Sequence, residues 1–297
     1  MPSWPKLQRL TLADNRLRLL PSQWSGTPSL EVLDLTHNRL GELPAAIRQL
    51  AQLRIILLGR NRLETLPASL AHCLGLTEID LQRNRLITWP RFLFQLPHLR
   101  RLNVARNQLA EVPAFPSGAK LEQLNLSHNQ LTALPDLSPL QQLRKLDVSH
   151  NQLQDLILPS GNCPLITLKL HHNPLNQLPQ HLDTSDHLQH LELQNTNIGP
   201  IPEKLLVLDQ LKFLKGPWPY PHSLKVLKVL QAASNESMDI AERTGIFHFW
   251  CAPQAAPPPA TATLLKMTRS PIRPLRKLGA WALLDQRAAK ELPQLKP

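Results

Sequence analysis

Cysteine is scarce in this chain: Cys73, Cys163 and Cys251 are three among 297 residues, an odd number with no C-x-x-C spacing. They cannot build a disulfide framework or a thiolate zinc cluster, and they point to a reducing compartment, so a cytoplasmic location is expected. Aromatic residues are only 4% of the chain, and 10 glycines stand against 29 prolines. A core with so few rings must be filled by aliphatic side chains. No run of 18 apolar residues is long enough to cross a bilayer as a helix. Met1–Pro5 has no basic stretch leading into an apolar one, so no secretory signal is expected there. The phosphate-binding, dinucleotide, kinase and nucleophile-elbow signatures are all missing from the sequence. Catalysis, a cofactor and a small-molecule substrate are therefore not expected.

What the chain has instead is leucine at fixed intervals. Leu7, Leu10, Leu12, Asn15, Leu17, Leu20 and Pro21 spell L-x-x-L-x-L-x-x-N-x-L-x-x-L-P. The pattern restarts at Leu30, Leu53, Leu76, Leu99, Leu121, Leu143, Leu165 and Leu188, in steps of 23 residues with three of 22 from Leu99 onward. Its ninth position holds Asn15, Asn38, Asn61, Asn84, Asn107, Asn129, Asn151 and Asn173, then Thr196. Repetition at this period is the mark of a solenoid, in which each unit buries its apolar face only against its neighbours.

The L-x-L segment alternates with period two, so it reads as a half-buried strand with Leu10 and Leu12 inward and Arg9, Thr11 and Ala13 outward. Strands are expected around Leu10–Leu12, Leu33–Leu35, and so on to Leu191–Leu193. The chain must then turn, and buried turn groups need partners; an asparagine amide donates and accepts at once, so a stacked column of asparagines can close the turns. None of the eight is expected to face solvent. In residues 45–50, 68–74 and 91–96, apolar positions at i and i+3 predict one or two helical turns. The 22-residue repeats carry Phe115-Pro116-Ser117-Gly118, Leu137-Ser138-Pro139 and Pro159-Ser160-Gly161, which read as extended or turned.

These residues resemble the leucine-rich repeat family, and within it the cytosolic class of 23 residues with a Leu-Pro pair after the asparagine turn. The resemblance runs from Leu7 to about Leu214. It implies an α/β solenoid: a curved parallel sheet on the concave side, short helical or extended segments on the convex side, and a role in protein–protein interaction. It also invites comparison with bacterial effector ligases that join such repeats to a cysteine domain, but their Cys-x-Asp nucleophile motif is absent, since Ala252 and Pro253 follow Cys251.

The repeats occupy residues 1–214, as about nine units. A tenth start at Leu211 and Leu214 runs into Gly216-Pro217-Trp218-Pro219-Tyr220-Pro221, so residues 215–251 read as a mainly helical cap. Residues 252–263 are a Pro/Ala linker. Residues 264–297 hold eight Lys/Arg and two Asp/Glu, a net +6 of the chain's +11, and read as a flexible basic tail. Contact of this tail with an anionic membrane or nucleic acid is the alternative functional reading.

The favoured one lies on the concave face. The position before each asparagine runs Asp14, His37, Arg60, Arg83, Arg106, His128, His150, His172, Asn195, a basic and histidine column. The central outward position runs Thr11, Asp34, Leu57, Asp80, Asn103, Asn125, Asp147, Lys169, Glu192. Adjacent strands lie about 4.8 Å apart, so both become ladders. The candidate partner-binding residues are Asp34, Leu57, Arg60, Asp80, Arg83, Asn103, Arg106, His128, Asp147, His150 and His172. Leu57 reads as an exposed apolar spot within a basic row, and an acidic protein segment is expected to dock across repeats two to five with Leu57 at its centre. His128, His150, His171 and His172 could converge on zinc, but with no carboxylate or cysteine evidently placed beside them they read as ordinary repeat positions, and no metal is expected.

Overall fold

The computed structural model describes residues 3–159, 164–199 and 203–217. Among them the strands β1 (Arg9–Thr11), β2 (Val32–Asp34), β3 (Ile55–Leu57), β4 (Glu78–Asp80), β5 (Arg101–Asn103), β6 (Gln123–Asn125), β7 (Lys145–Asp147), β8 (Thr167–Lys169), β9 (His190–Glu192) and β10 (Phe213–Lys215) form one sheet in sequence order. Every pairing is parallel and in register, so that Leu10, Leu33, Ile56, Ile79 and Leu102 stand in one ladder that continues to Leu214. Each strand is centred one residue earlier than the L-x-L reading placed it. Hydrogen bonding nevertheless runs on past the strand: Leu35 N–H donates to Leu57 O and His37 N–H to Gly59 O, both at 2.8 Å. The tenth strand exceeds the expected nine, because Phe213–Lys215 pairs with β9 before the prolines begin.

The core is a stack of leucine layers inside this coil. Leu33, Leu35, Leu40, Ile56, Leu58 and Leu63 and their equivalents are fully buried, each contributing about 1.5–3 kcal/mol of burial. At the β1 end, where no described repeat covers them, Leu10, Leu12, Leu17 and Leu20 are half-buried.

On the opposite side, Ala45–Gln49, Ala68–His72 and Arg91–Gln95 are 3-10 helices. The proline before each, Pro44, Pro67 and Pro90, explains where they begin. Pro44 and Pro67 hold the extended conformation, with φ −68° and −70°, and their carbonyls accept the first helical N–H, from Ile47 at 3.0 Å and Leu70 at 3.1 Å. Proline has no N–H to leave orphaned at that position. The described parts of the 22-residue repeats are extended or turned there, as their prolines predict. Trp89, Phe94 and Phe115 pack together at the change from helical to extended connection, with ring centroids 5.3 and 5.2 Å apart.

The asparagine column closes the turns across repeats. Asn38 Nδ2 donates to Leu12 O (2.8 Å) in the repeat before and to Leu35 O (3.1 Å) in its own, while its Oδ1 accepts from Leu17 N–H (3.0 Å). The same three partners recur at Asn61, Asn84, Asn107, Asn129, Asn151 and Asn173, all buried. Asn15 departs from the expectation. It is exposed and bonds only its own turn, at Leu12 O and Ala13 O, because no described turn precedes it. Thr196 is too short to replace the amide, and its hydroxyl donates to Leu193 O at 2.8 Å.

The expected cap, linker and tail lie outside the described residues apart from 215–217, as do Cys163, Cys251 and Ser160-Gly161.

Candidate interaction face

A backbone feature sets the geometry of the candidate residues. Asp14, His37, Arg60, Arg83, Arg106, His128, His150, His172 and Asn195 all have φ between 54° and 57°, the left-handed region. None is glycine. Asparagine, aspartate and histidine tolerate this conformation better than most side chains, while arginine does not, and each such residue costs roughly 1 kcal/mol or more unless its surroundings impose it. Here the ladder imposes it: from Asp14 to His172 the N–H of each is spent on the next repeat, as for Arg60 on Gln82 O (2.7 Å) and Arg83 on Ala105 O (2.8 Å). The column therefore leaves the sheet at its edge, where the chain turns away.

That separates two columns which the sequence reading had placed around a common centre. Leu57 is half-buried, not exposed, and its neighbours in register are Asp34 and Asp80 rather than arginines. The arginines stand three residues further along, at the turn. Next to Leu57, the first outward position supplies Ile55, paired with Val32, so the apolar ground on β2 and β3 is a patch of three side chains. This first column had been passed over, although the alternation that turned Arg9 outward applies to every repeat. Further along it, Glu78 and Arg101 form an ion pair, with Arg101 Nη2 2.6 Å and Nε 2.8 Å from Glu78 Oε2.

The central acidic and amide column has a structural task. Asp34, Asp80, Asn103, Asn125 and Asp147 each accept, through Oδ1, the N–H two residues ahead, at 2.9–3.1 Å. One oxygen of each is thereby committed to the turn. Asp80 is crowded as well: burial pushes its carboxyl up, and Glu78 and Asp34 add to the effect, against the lowering hydrogen bonds from Gln82. Residues of β4–β8, among them Asp80, Asn103, Asn125, Asp147 and Lys169, line an open trough of about 320 Å³. Asp34 and Leu57 lie beyond it on β2 and β3, and none of its lining residues belongs to the arginine and histidine column.

From Arg106 to Asn195 the turn column makes one continuous row. Arg106 Nη2 lies 3.1 Å from His128 Nε2; His128, His150 and His172 stack with centroids 3.9 Å apart; Asn195 Nδ2 reaches His172 Nε2 at 2.7 Å. Burial and the adjoining imidazoles push His150 down to about 4, and burial with Arg106 lowers His128. Both shifts favour the neutral form of His128 and His150. Glu192 is a hub on β9: burial would raise its carboxyl, but hydrogen bonds from His190 (2.7 Å) and Lys169 (3.3 Å) outweigh this and hold it below the usual range. Among the described residues, no carboxylate lies within ion-pair distance of Arg60 or Arg83.

With this geometry in hand, comparison with known proteins places it. The family model described as Leucine rich repeat matches residues 5–63, 52–109 and 97–153. No curated protein matches. Among solved structures, a leucine-rich repeat protein of Leptospira interrogans is 26% identical with a TM-score of 0.55, over 71% of this chain and 67% of that one. The APL1 leucine-rich repeat domain is 27% identical with a TM-score of 0.63, over 70% of this chain and 55% of that one. The LRIM1/APL1C complex contains a chain 25% identical with a TM-score of 0.59, covering 68% of this chain and 38% of that one. This chain thus spans little more than half the length of the APL1 domain.

Proposed function

The chain belongs to the leucine-rich repeat family, and on that premise we propose that it is a non-enzymatic scaffold holding a protein segment against the exposed face of its sheet. The fold is one commonly used for protein–protein interaction, and a relative of this chain was solved as the LRIM1/APL1C complex. The observation that carries the reading is the pairing of an apolar patch with cations that have no ion-pair partner among the described residues. Val32, Ile55 and Leu57 lie side by side on β2 and β3, and Arg60 and Arg83 stand at the adjoining edge with no described carboxylate in ion-pair reach. A segment with an aliphatic or aromatic anchor and acidic residues on one flank suits both features. Asp34 and Asp80 repel an acidic group placed directly over Leu57, so the acids belong on the arginine side. The role is intracellular signalling or assembly in the cytoplasm, in keeping with Cys73 as a buried free thiol.

Selection of a random peptide display library on the full chain should enrich peptides with one large apolar residue followed by Asp or Glu. Their binding should fall about tenfold or more in Leu57→Asp and in the triple variant Arg60→Gln/Arg83→Gln/Arg106→Gln, with thermal unfolding of the triple variant nearly unchanged. Peptides lacking that pattern, or bound equally by both variants, would move the site off repeats two to five.

A further inference from the structure

The geometry points to a transition-metal site at the β7–β8 edge, where His150, His171 and His172 take a borderline divalent ion of the zinc type through three imidazole nitrogens. One ring nitrogen from each of these three residues lies within 4.8 Å of the other two. Two of them are close to a metal-binding separation already: His171 Nδ1 and His172 Nδ1 are 3.0 Å apart, against roughly 3.3 Å for two nitrogens at tetrahedral angles on zinc. His150 completes the set by a small rotation within its stack, its ring lying edge-on to His171 at a centroid distance of 5.1 Å. Among the described residues this is the one group of three such side chains so placed.

The surroundings have the form of a metal centre's outer shell. Glu192 Oε2 lies 3.8 Å from His171 Nε2. With His171 bound through Nδ1, its Nε2–H points toward that carboxylate, the partner that orients ligating histidines. His172 Nε2 now accepts from Asn195 Nδ2 at 2.7 Å, which leaves the proton on Nδ1, directed at His171. Metal binding moves that proton to Nε2, and a turn of the Asn195 amide presents Oδ1 to receive it. No proton need leave the protein. The sequence reading dismissed this group for want of a nearby carboxylate; Glu192 comes from the next repeat and was counted only as part of a surface ladder. The sequence also marks the spot, because His171 occupies the position filled by Thr36, Gln82, Ser127, Ser149 and Gln194 elsewhere. His150 and His172 are held in place by the ladder, through His150 N–H to His171 O (2.9 Å) and His172 N–H to Gln194 O (2.8 Å). Three nitrogens leave a fourth position for water or for a side chain of the docked segment.

The repeats themselves supply substitutions that suit the fold: His171→Ser, His150→Asn and His172→Asn each install a residue found at the same position of another repeat. Zinc chloride titrated into the full chain against a chromophoric chelator should show one ion per chain. His171→Ser should weaken it about tenfold or more and Glu192→Gln by about ten- to a hundredfold, while His128→Asn, at the far end of the stack, should stay within about twofold. Copper(II) in the same site should give an electron paramagnetic resonance spectrum with nitrogen couplings that His171→Ser reduces. Equal zinc affinity in His171→Ser and in the wild type overturns the proposal, as does the absence of a one-ion stoichiometry. Should His150→Asn or His172→Asn fail to fold, the single His171→Ser comparison decides.

Discussion

Replacing Asn84 by alanine tests the idea that each asparagine serves two repeats at once. Its Nδ2 donates to Leu58 O at 2.9 Å and to Leu81 O at 3.0 Å, and its Oδ1 accepts from Leu63 N–H at 3.0 Å. The carbonyls are shared: Leu58 O also receives Asn61 Nδ2, and Leu81 O receives Asn107 Nδ2, each at 3.0 Å. Removing the amide leaves both carbonyls with one donor and takes from Leu63 N–H its acceptor. The cost is then dominated by one buried orphan donor, roughly 1–3 kcal/mol. At the middle of that range the melting temperature falls about 4–8 °C for a chain of this size. Asn84→Asp keeps the acceptor but turns a second oxygen toward the Leu58 and Leu81 carbonyls, so at pH 7 it should lose more than alanine does. Burial raises the carboxyl of that aspartate above its unfolded value, so its stability is present at low pH and lost as pH rises through the folded value; the gap to wild type should narrow on acidification. Asn15→Ala, at an exposed turn, should cost less than about 0.5 kcal/mol. Differential scanning calorimetry of the three variants reads all of this. Equal losses in Asn15→Ala and Asn84→Ala, or an aspartate gentler than alanine at pH 7, would refute the reasoning.

Two further outcomes follow from the turn geometry. Arg83, at φ 55°, should become more stable as asparagine and less stable by about 1–2 kcal/mol as isoleucine, measured by chemical denaturation; the same sign for both would deny that backbone strain matters there. Asp80→Asn keeps the acceptor for Gln82 N–H, as Asn103 and Asn125 do in their own repeats. Since burial raises the Asp80 carboxyl, its penalty appears as pH rises through the folded value, so the variant should melt higher than wild type at pH 7 and converge with it near pH 3.

Spacing made the coil legible. Leucines and asparagines at fixed separations carry the strands, the buried ladder and the cross-repeat amide bonds, and apolar positions at i and i+3 foretell the helical turns at Ala45–Gln49, Ala68–His72 and Arg91–Gln95. What spacing hides is dihedral. Nothing in a column of Asp, His and Arg declares that all of them sit at positive φ, so their charges were read as the reason for their presence when backbone tolerance is part of it. Asp34 and Asp80 were similarly read as recognition groups, although one oxygen of each holds its own turn. Glu192 and His171 come together because strand nine lies beside strand eight with a shared register, a relation that only three dimensions bring out. The tenth strand was missed because its signal, Leu211 and Leu214, ends against prolines after a single turn of the pattern.

The direction of the asparagine bonds gives the molecule a sense of before and after. Asn38 reaches back to Leu12 and Leu17, Asn61 back to Leu35 and Leu40, and the bonds point the same way along the column. The side-chain amide that closes a turn therefore comes from the repeat that follows it, while the backbone of the later turn leans back, as Arg39 N–H does on Leu17 O (2.9 Å). A chain growing from its N-terminus always carries one unfinished turn, and each new stretch of about two dozen residues completes the last and opens another. Cutting the coil from its C-terminal side takes the amide acceptor from a turn N–H, as Asn38 from Leu17, whereas trimming from the other side takes a carbonyl acceptor from the next turn, as Leu17 O from Arg39 N–H. Each kind of cut thus leaves a different half of the same seam open.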